Sequence, residues 1–408
     1  METNSTIKAA PFLSLLLFIA LSYKNILYSL ILRPGFLKKR NVQAGLSGYF
    51  HFLIWWSGGL FIPCLLIIHM ENKPATLKEI ALRLHVSVST VSRALHNHPS
   101  IGLRTKMQVQ KLAGELNYEP NQAAISFKQG KTMTIGVILP NLGEEFFSMA
   151  INGIEDVATK NKYTVLIGQS HDDTGREKQI VDTMRRQRVD GLIVSLSKTT
   201  TSYEHFEQLK KYRIPVVFFD RVPDLAGAYT VSCNLENSSV ELVDWLVDSG
   251  HKQIGFIKGP DALIHSGQRL NGYYEGLKKH KLKVDSSFVV STDLTKLKTR
   301  DAMLKLLSLK NRPTAVIAFN DYVALDAIKY TRGQGLKVNK DIFFVSYANL
   351  PITSYMDDPP IASVEQFPYQ QAEKATDILL QLIHCRGLDE NIPHKFLLDS
   401  KVVVNTER

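Results

Sequence analysis

From residue 134 onwards the chain alternates between short, unbroken apolar runs and longer amphipathic stretches, a rhythm that few folds accommodate. The runs Thr134–Leu139, Thr164–Gly168, Leu192–Ser195, Val216–Phe219, Ile254–Ile257, Ala315–Phe319 and Ile342–Tyr347 are rich in β-branched and aromatic residues and lack polar alternation. Strands buried on both faces read this way. Between them Glu144–Asn161, Thr174–Arg188, Glu236–Ser249, Gly267–Lys279, Asp321–Arg332 and Tyr369–Ile383 carry helical spacing, with Gly250 and Gly333 where C-terminal caps are wanted. Strand–helix alternation predicts doubly wound parallel α/β sheets. The 277 residues from 132 to 408 suffice for two such lobes.

Ligands of such sheets bind beyond the carboxyl ends of the strands. Ser195 and Ser197 follow one predicted strand, Asp220 and Arg221 a second, Asn320 and Asp321 a third. Phe146 and Phe147 open the first helix, and Arg269 lies in an expected Ser266–Gly272 turn. A carboxylate and guanidinium groups can hold hydroxyls while a ring covers an apolar face, which suits a small, sugar-like effector. Each of these residues could instead be a cap or an exposed charge, Asp321 above all as a helix N-cap.

Upstream the character changes. Residues 71–131 hold nine Lys/Arg against four acids, whereas the stretch after 131 is close to neutral, so the net charge of +10 comes from the N-terminal third. A basic segment beside a neutral globule is the footprint of a small nucleic-acid module. Thr76-Leu77-Lys78-Glu79 reads as a capping box, with Thr76 accepting from the Glu79 amide and Glu79 reaching back. Leu77, Ile80, Ala81 and Leu84 follow at helical spacing; His85-Val86-Ser87 makes a tight break, with Ser87 as N-cap of Val88–Leu95. Val91 and Leu95 should face inward, and Val88, Ser89, Ser92 and Arg93 outward. A bracing helix runs to Leu116, with Val109, Leu112, Ala113 and Leu116 on one face. This is the outline of a helix-turn-helix, in which small hydroxyl residues let the second helix approach the groove floor and Arg93 can reach a phosphate or a guanine edge. On geometry alone, an ordinary polar face on a three-helix unit stays open.

The residues Thr76-Leu77-Lys78-Glu79-Ile80-Ala81 and Val86–Leu95 resemble the DNA-binding domain of the LacI/GalR repressor family. The resemblance implies base reading by Val88, Ser89 and Arg93, and phosphate anchoring by Ser87, Thr90, Ser92 and the Thr76–Leu77 end of the first helix. His85 departs from the family's usual glycine. Asn117-Tyr118-Glu119-Pro120-Asn121 resembles the approach to the family's hinge helix, which implies minor-groove roles for Asn121 and Ala124 and a wedge role for Phe127; a plain linker is the alternative. Thr134–Pro140, Arg188–Gly191, Phe219–Arg221, Gly250–Ile257 and Ala318–Asp321 are similar to landmarks of the family's sensor. They imply a two-lobed, periplasmic-binding-protein-like effector domain over 132–404, with ligand roles for Phe147, Asp220, Arg269 and Asn320, and for Gln366. Ala348 stands where many members carry a ligand-holding Asp, and Asn349 is the candidate substitute.

These features together suggest a cytoplasmic, homodimeric transcriptional regulator, expected to be a repressor. It would have an apolar extension over 1–69, a reader over 70–119, a hinge over 120–131 and a carbohydrate-type effector, and would bind a pseudo-palindromic operator. The rival is an exported or membrane-tethered sugar-binding protein, since Phe12–Leu32 and Tyr49–Ile68 are apolar runs of bilayer-spanning length. Arg33, Lys38, Lys39 and Arg40 between them would place the loop in the cytoplasm and the reader outside, away from DNA. Met70 is therefore expected to be the functional start. Cys64, Cys233 and Cys385 have no metal or disulfide spacing, and no phosphate loop or nucleophile elbow appears, so neither a cofactor nor an enzyme is expected.

Overall fold

The computed structural model describes residues 50–55, 61–66, 75–120, 130–385 and 392–405. The chain divides after Glu119 into two compact units. The run Phe12–Leu32 and the hinge residues Asn121, Ala124 and Phe127 lie outside the described residues. The second apolar run is not one span. Phe50–Trp55 (β1) and Phe61–Leu66 (β2) pair antiparallel, from Phe50 opposite Leu66 to Trp55 opposite Phe61. The run is split in sequence by Gly58-Gly59, and its aromatic and branched halves are too short for a crossing helix. Among the described residues no helix is long and apolar enough to cross a membrane.

In the first unit α1 (Leu77–Arg83), α2 (Val88–Leu95) and α3 (Leu103–Glu115) close on a small core of Ile80, Ala81, Val91, Ala94, Val109 and Ala113. Two of these elements are set by local chemistry. The Thr76 hydroxyl accepts from the Glu79 amide at 3.3 Å, as the sequence predicts, but the Glu79 carboxylate takes Arg83 at 2.6 Å instead of closing the capping box. At the other end of α1 the His85 amide bonds to Leu82 O and the Val86 amide to Ala81 O, a Schellman arrangement. That arrangement holds His85 at φ +53°, where an L side chain is unfavourable.

The second unit holds two six-stranded sheets. The strands are β3 (Thr134–Leu139), β4 (Thr164–Gln169), β5 (Gly191–Val194), β6 (Val216–Phe219), β7 (Tyr229–Cys233), β8 (Ile254–Lys258), β9 (Val289–Ser291), β10 (Ala315–Ala318), β11 (Phe343–Tyr347), β12 (Ala362–Glu365), β13 (Lys395–Leu398) and β14 (Lys401–Val404). The first lobe has the order β13-β7-β6-β5-β3-β4, all parallel; the second has β14-β12-β11-β10-β8-β9, parallel except for β14. Helices α4 (Glu145–Lys160), α5 (Thr174–Arg186) and the one-turn α6 (Glu204–Glu207) belong to the first lobe. The second has α7 (Leu235–Asp248), α8 (Ile264–Lys279), α9 (Lys296–Leu307) and α10 (Asp321–Gly333). Helix α11 (Pro368–His384) returns to pack on α4 and the first sheet. Apolar clusters fill both faces of both sheets, which explains why β5 and β10 are buried along their whole length.

In the second unit five short strands, β7, β9, β12, β13 and β14, and helices α6 and α9 were not expected from the sequence, nor was the β1–β2 pair in the first. Arg269 sits inside α8, not in a turn. Gly250 does occupy a left-handed position after α7 (φ +92°), but Gly333 ends α10 within the helix and Gly335 (φ +80°) takes the left-handed role.

The chain crosses between lobes three times: at Asn234, at Gln366–Phe367 and at Asp399–Ser400. The crossings are laced together. Asn234 N donates to Leu398 O at 2.9 Å, Ser400 Oγ to Asn234 O at 2.8 Å, and Gln371 Nε2 to Gln366 O at 2.7 Å. The buried Cys233 thiol donates to Gln366 O at 2.9 Å, and burial pushes that thiol up to about 12, so it acts as a neutral donor.

Candidate functional site

In the reader, Ser87 caps α2 by accepting from Thr90 N at 3.0 Å, and its hydroxyl also meets Ser89 Oγ at 2.7 Å and Thr90 Oγ1 at 2.8 Å. The first turn of α2 thus presents a cluster of hydroxyls at the positive end of the helix dipole, a surface suited to phosphate oxygens. Val91 and Ala94 are fully buried beneath, while Val88 is 40% exposed and Ser89 and Arg93 are exposed beside it. Ser92 is half-buried. Leu77 packs against the reader's core from its rim, so only its backbone stays available at the start of α1.

The second site lies between the two lobes, at the carboxyl ends of β3, β6 and β10. A cavity of about 40 Å³ is lined from the first lobe by Glu144, Phe146, Phe147, Asp220 and Arg221. The second lobe contributes His265, Arg269, Phe319, Asn320, Tyr322 and Ala348, and Gln366 closes it at the middle crossing. Room of this size holds one or two waters, so a larger ligand requires the lobes to part. Direct bonds hold them together: Lys198 Nζ to Asp293 O at 2.8 Å, Ile352 N to Glu145 Oε2 at 3.0 Å, and Glu145 N to Tyr322 Oη at 3.3 Å.

Burial sets the shifts of Glu144, Asp220, His265 and Arg269, whereas Arg221 is held above its ordinary value by Asp172, Glu144 and Asp220 against the opposing effect of burial. Asp220, at φ +55° directly after β6, has its carboxyl raised to about 6 by burial, against the pull of Arg221 and Arg269. Ser195 lies behind it and donates to Asp220 Oδ2 at 3.4 Å, so it supports the carboxylate without lining the cavity. His265 Nδ1 is 3.8 Å from Asp220 Oδ1, but burial and the two neighbouring guanidinium groups push the imidazole down to about 3. At neutral pH the two therefore meet as carboxylate and neutral ring, not as an ion pair.

Arg221 pairs with Asp172 at 2.5 Å and stands 5.6 Å over the Phe147 ring. Arg269 is 3% exposed and sandwiched between Phe319 at 4.2 Å and Tyr347 at 4.4 Å. It gives one bond to Gln366 Oε1 at 3.3 Å, and burial lowers its pKa to about 10. Its Nε and Nη1, together with His265 Nε2, are buried without a protein partner. The two guanidinium N–H groups await an acceptor, and the neutral His265 ring can meet a hydroxyl at Nε2 as either donor or acceptor.

Other expected ligand residues are engaged elsewhere. Asn320 lines the cavity but is itself the N-cap of α10, accepting from Val323 N at 2.9 Å. This cap role was expected of Asp321. The Asp321 carboxylate is instead fully buried, accepting from Leu350 N at 2.6 Å and Ser363 Oγ at 2.8 Å, and from Ser346 Oγ. It fixes the loop after β11, where Ala348 (φ +101°) faces the cavity and Asn349 turns away to donate to Glu365 Oε2 at 2.9 Å. Glu144, His265, Phe319 and Tyr322 were missed by sequence reasoning. The spacing of His265 and Arg269, four apart and hence on one helix face, was the available signal.

Comparison with known proteins follows the same division. Residues 76–121 match the model of bacterial regulatory proteins of the lacI family, and 135–387 match a periplasmic binding protein domain. The HTH-type transcriptional repressor CytR of Escherichia coli K12 is 33% identical over 310 residues, covering 76% of this chain and 90% of CytR. Catabolite control protein A of Priestia megaterium is 31% identical over 324 residues, covering 78% and 97%. Among solved structures, the Lac repressor dimer bound to operator and the anti-inducer ONPF superposes with a TM-score of 0.69 at 25% identity, over 81% of this chain and 98% of that one. The chain belongs to the LacI family, and is a DNA-binding transcriptional regulator controlled by a small effector.

Proposed function

We propose that residues 70–119 read a pseudo-palindromic operator as one half of a cytoplasmic homodimer. Val88, Ser89 and Arg93 would face base edges, while Thr76, Ser87, Thr90 and Ser92 would hold phosphates. Residues 120–131 act as the hinge, with Asn121, Ala124 and Phe127 in the minor groove. Residues 132–404 sense a small, hydroxyl-rich effector of the carbohydrate type, and its binding represses or relieves transcription by changing the lobe arrangement. Asp220, Arg269, Asn320 and Gln366 hold hydroxyls, Phe146 and Phe147 cover an apolar face, and Arg221 is held for this by Asp172. Among solved structures of this fold, one is a complex with cellobiose and another a complex with D-xylulofuranose, ligands of the hydroxyl-rich class.

The observation that carries the effector reading is the set of buried, unpartnered polar atoms on Arg269 and His265 at a cavity shared by both lobes. A thermal-shift screen of the full chain against sugars, phosphosugars and nucleosides tests it: a hydroxyl-rich ligand should raise the melting temperature, more so with concentration. A melting temperature that none of these hydroxyl-rich ligands raises would refute the assignment. For the reader, Arg93→Ala should weaken specific binding to a duplex selected from a random library by about 1–3 kcal/mol. The ligand-induced thermal shift should be untouched, and loss of both would refute the division of labour.

A further inference from the structure

The effector cavity occupies the carboxyl end of the first lobe. The opposite end, where β5, β6 and β7 begin, carries an open groove of about 1050 Å³ that shares no lining residue with the effector cavity. Its floor is apolar, with Phe206, Ile214 and Phe218 buried in the lobe. Its rim is cationic: Lys131, Arg185, Arg186, Arg188, Lys210 and Arg213 line it, against Asp190 and Glu207. The acids are too few to neutralise the rim. Asp190 is committed to the chain's own backbone, accepting from Thr132 N at 2.8 Å and Met133 N at 2.9 Å. Arg185 and Arg186 share a single partner, Asp182. Arg188 and Arg213 are exposed and, among the described residues, form no ion pair.

We infer that this groove is a second, sequence-independent DNA contact, in which the lobe's own arginines take phosphates flanking the operator. Two observations select a polyanion over a small organic anion. The first is exposure. A built site for a small anion encloses its charge, as the effector cavity encloses Arg269 at 3% exposure, whereas the Arg186 side chain here is 66% exposed. An open rim of long cations suits a ligand that offers charge density, and duplex DNA offers one charge per about 1.7 Å. The second is the tether. Gly130 and Lys131, the end of the linker, form part of the rim, and Gly130 lies eleven peptide steps from Glu119, where the reader's unit ends. That chain spans at most about 40 Å, little more than one turn of duplex, so the rim stays within reach of flanking phosphates. The inference rests on the DNA-binding reading, and specific binding by the unaltered chain is its control.

The test uses a duplex that the full-length protein has itself selected from a random library, as a 16-base-pair core and embedded in 40 base pairs. Binding of wild type and of the double variant Arg188→Gln/Arg213→Gln is followed against salt. On the long duplex the variant should show a plot of log affinity against log salt that is shallower by about 2 to 4, since each lost phosphate contact removes about 0.9 and a dimer carries each arginine twice. Affinity at low salt should fall at least tenfold, equally for the selected and a mixed-sequence long duplex, and wild type and variant should converge on the 16-base-pair core. An unchanged slope overturns the inference, as does a loss that persists on the short core. A melting temperature raised by phosphate or citrate in wild type but not in the variant, with the slope unchanged, would assign the groove to a small anion and overturn it equally. If wild type selects no sequence at all, the DNA-binding reading itself fails, a result distinct from any of these.

Discussion

Replacing Arg269 by methionine separates an effector-holding residue from a structural one, because the two roles predict opposite balances. The guanidinium is 3% exposed and its pKa falls from 12.5 to about 10, which corresponds to about 3 kcal/mol of unfavourable charge burial. Against this stand the contacts with the Phe319 and Tyr347 rings, worth together about 2 kcal/mol, and the 3.3 Å bond to Gln366, worth about 1 kcal/mol. These contributions nearly cancel. Methionine keeps the apolar stem between the rings, so Arg269→Met should leave the ligand-free protein within about 1 kcal/mol of wild type. Truncation of a buried core side chain typically costs about 2–5 kcal/mol. The bound state should suffer far more, since Nε and Nη1 are the unpartnered donors. Two charge-assisted bonds lost amount to at least about 3 kcal/mol, or more than a hundredfold in effector affinity. The assay is chemical denaturation of the ligand-free variant, paired with titration of the best sugar from the thermal-shift screen. A variant destabilised by several kcal/mol that still bound effector normally would show the guanidinium to be a packing element and refute the reasoning.

Three further perturbations follow from other parts of the fold. His85→Gly relieves a left-handed residue in the Schellman turn between α1 and α2 and should stabilise the reader by about 1 kcal/mol in thermal unfolding; a loss of stability would contradict the backbone argument. Asp220 keeps its proton up to about pH 6 when folded but gives it up near 3.8 when unfolded, so its contribution to stability falls as pH rises through that window. Asp220→Asn should therefore be more stable than wild type at pH 7, by up to about 3 kcal/mol, with the difference vanishing below about pH 4; a pH-independent difference would refute the shift. Gly272 lies where α8 crosses α7, and a Cβ there would fall 2.1 Å from Glu236 O and 2.6 Å from the Ser239 Cβ. Gly272→Ala should cost about 1–3 kcal/mol through forced separation of the helices, and an unchanged denaturation midpoint would show that they part freely.

The cavity shows how far a one-dimensional pattern reaches. Asp220, Arg221 and Asn320 could be picked out because polar residues stood at the ends of apolar runs, and the chain-reversal rule for parallel sheets puts such ends at ligand sites. The same rule could not separate Asn320 from Asp321. Which of the two caps α10 and which anchors the loop after β11 depends on Leu350 N, Ser346 and Ser363, residues brought in from neighbouring strands. His265 and Glu144 escaped for a similar reason, since their polar atoms gain meaning only opposite the other lobe. The Tyr49–Ile68 run has bilayer-spanning length yet contains two short paired strands, because hydropathy counts apolar residues without asking whether they continue as one element.

The amino-acid order alone determined the reader's three helices, the seven principal strands and the division into a basic module and a neutral globule. These rest on caps, periodicity and charge, interactions between residues close along the chain. Tertiary structure decided what depends on contacts between distant segments: the five short strands, the laced triple crossing at Asn234, Gln366 and Ser400, the burial that shifts Asp220, His265 and Arg269, and the cationic rim at the far end of the first lobe. Desolvation and pairing are properties of a place in space, and no position in a sequence carries them until the chain has closed around it.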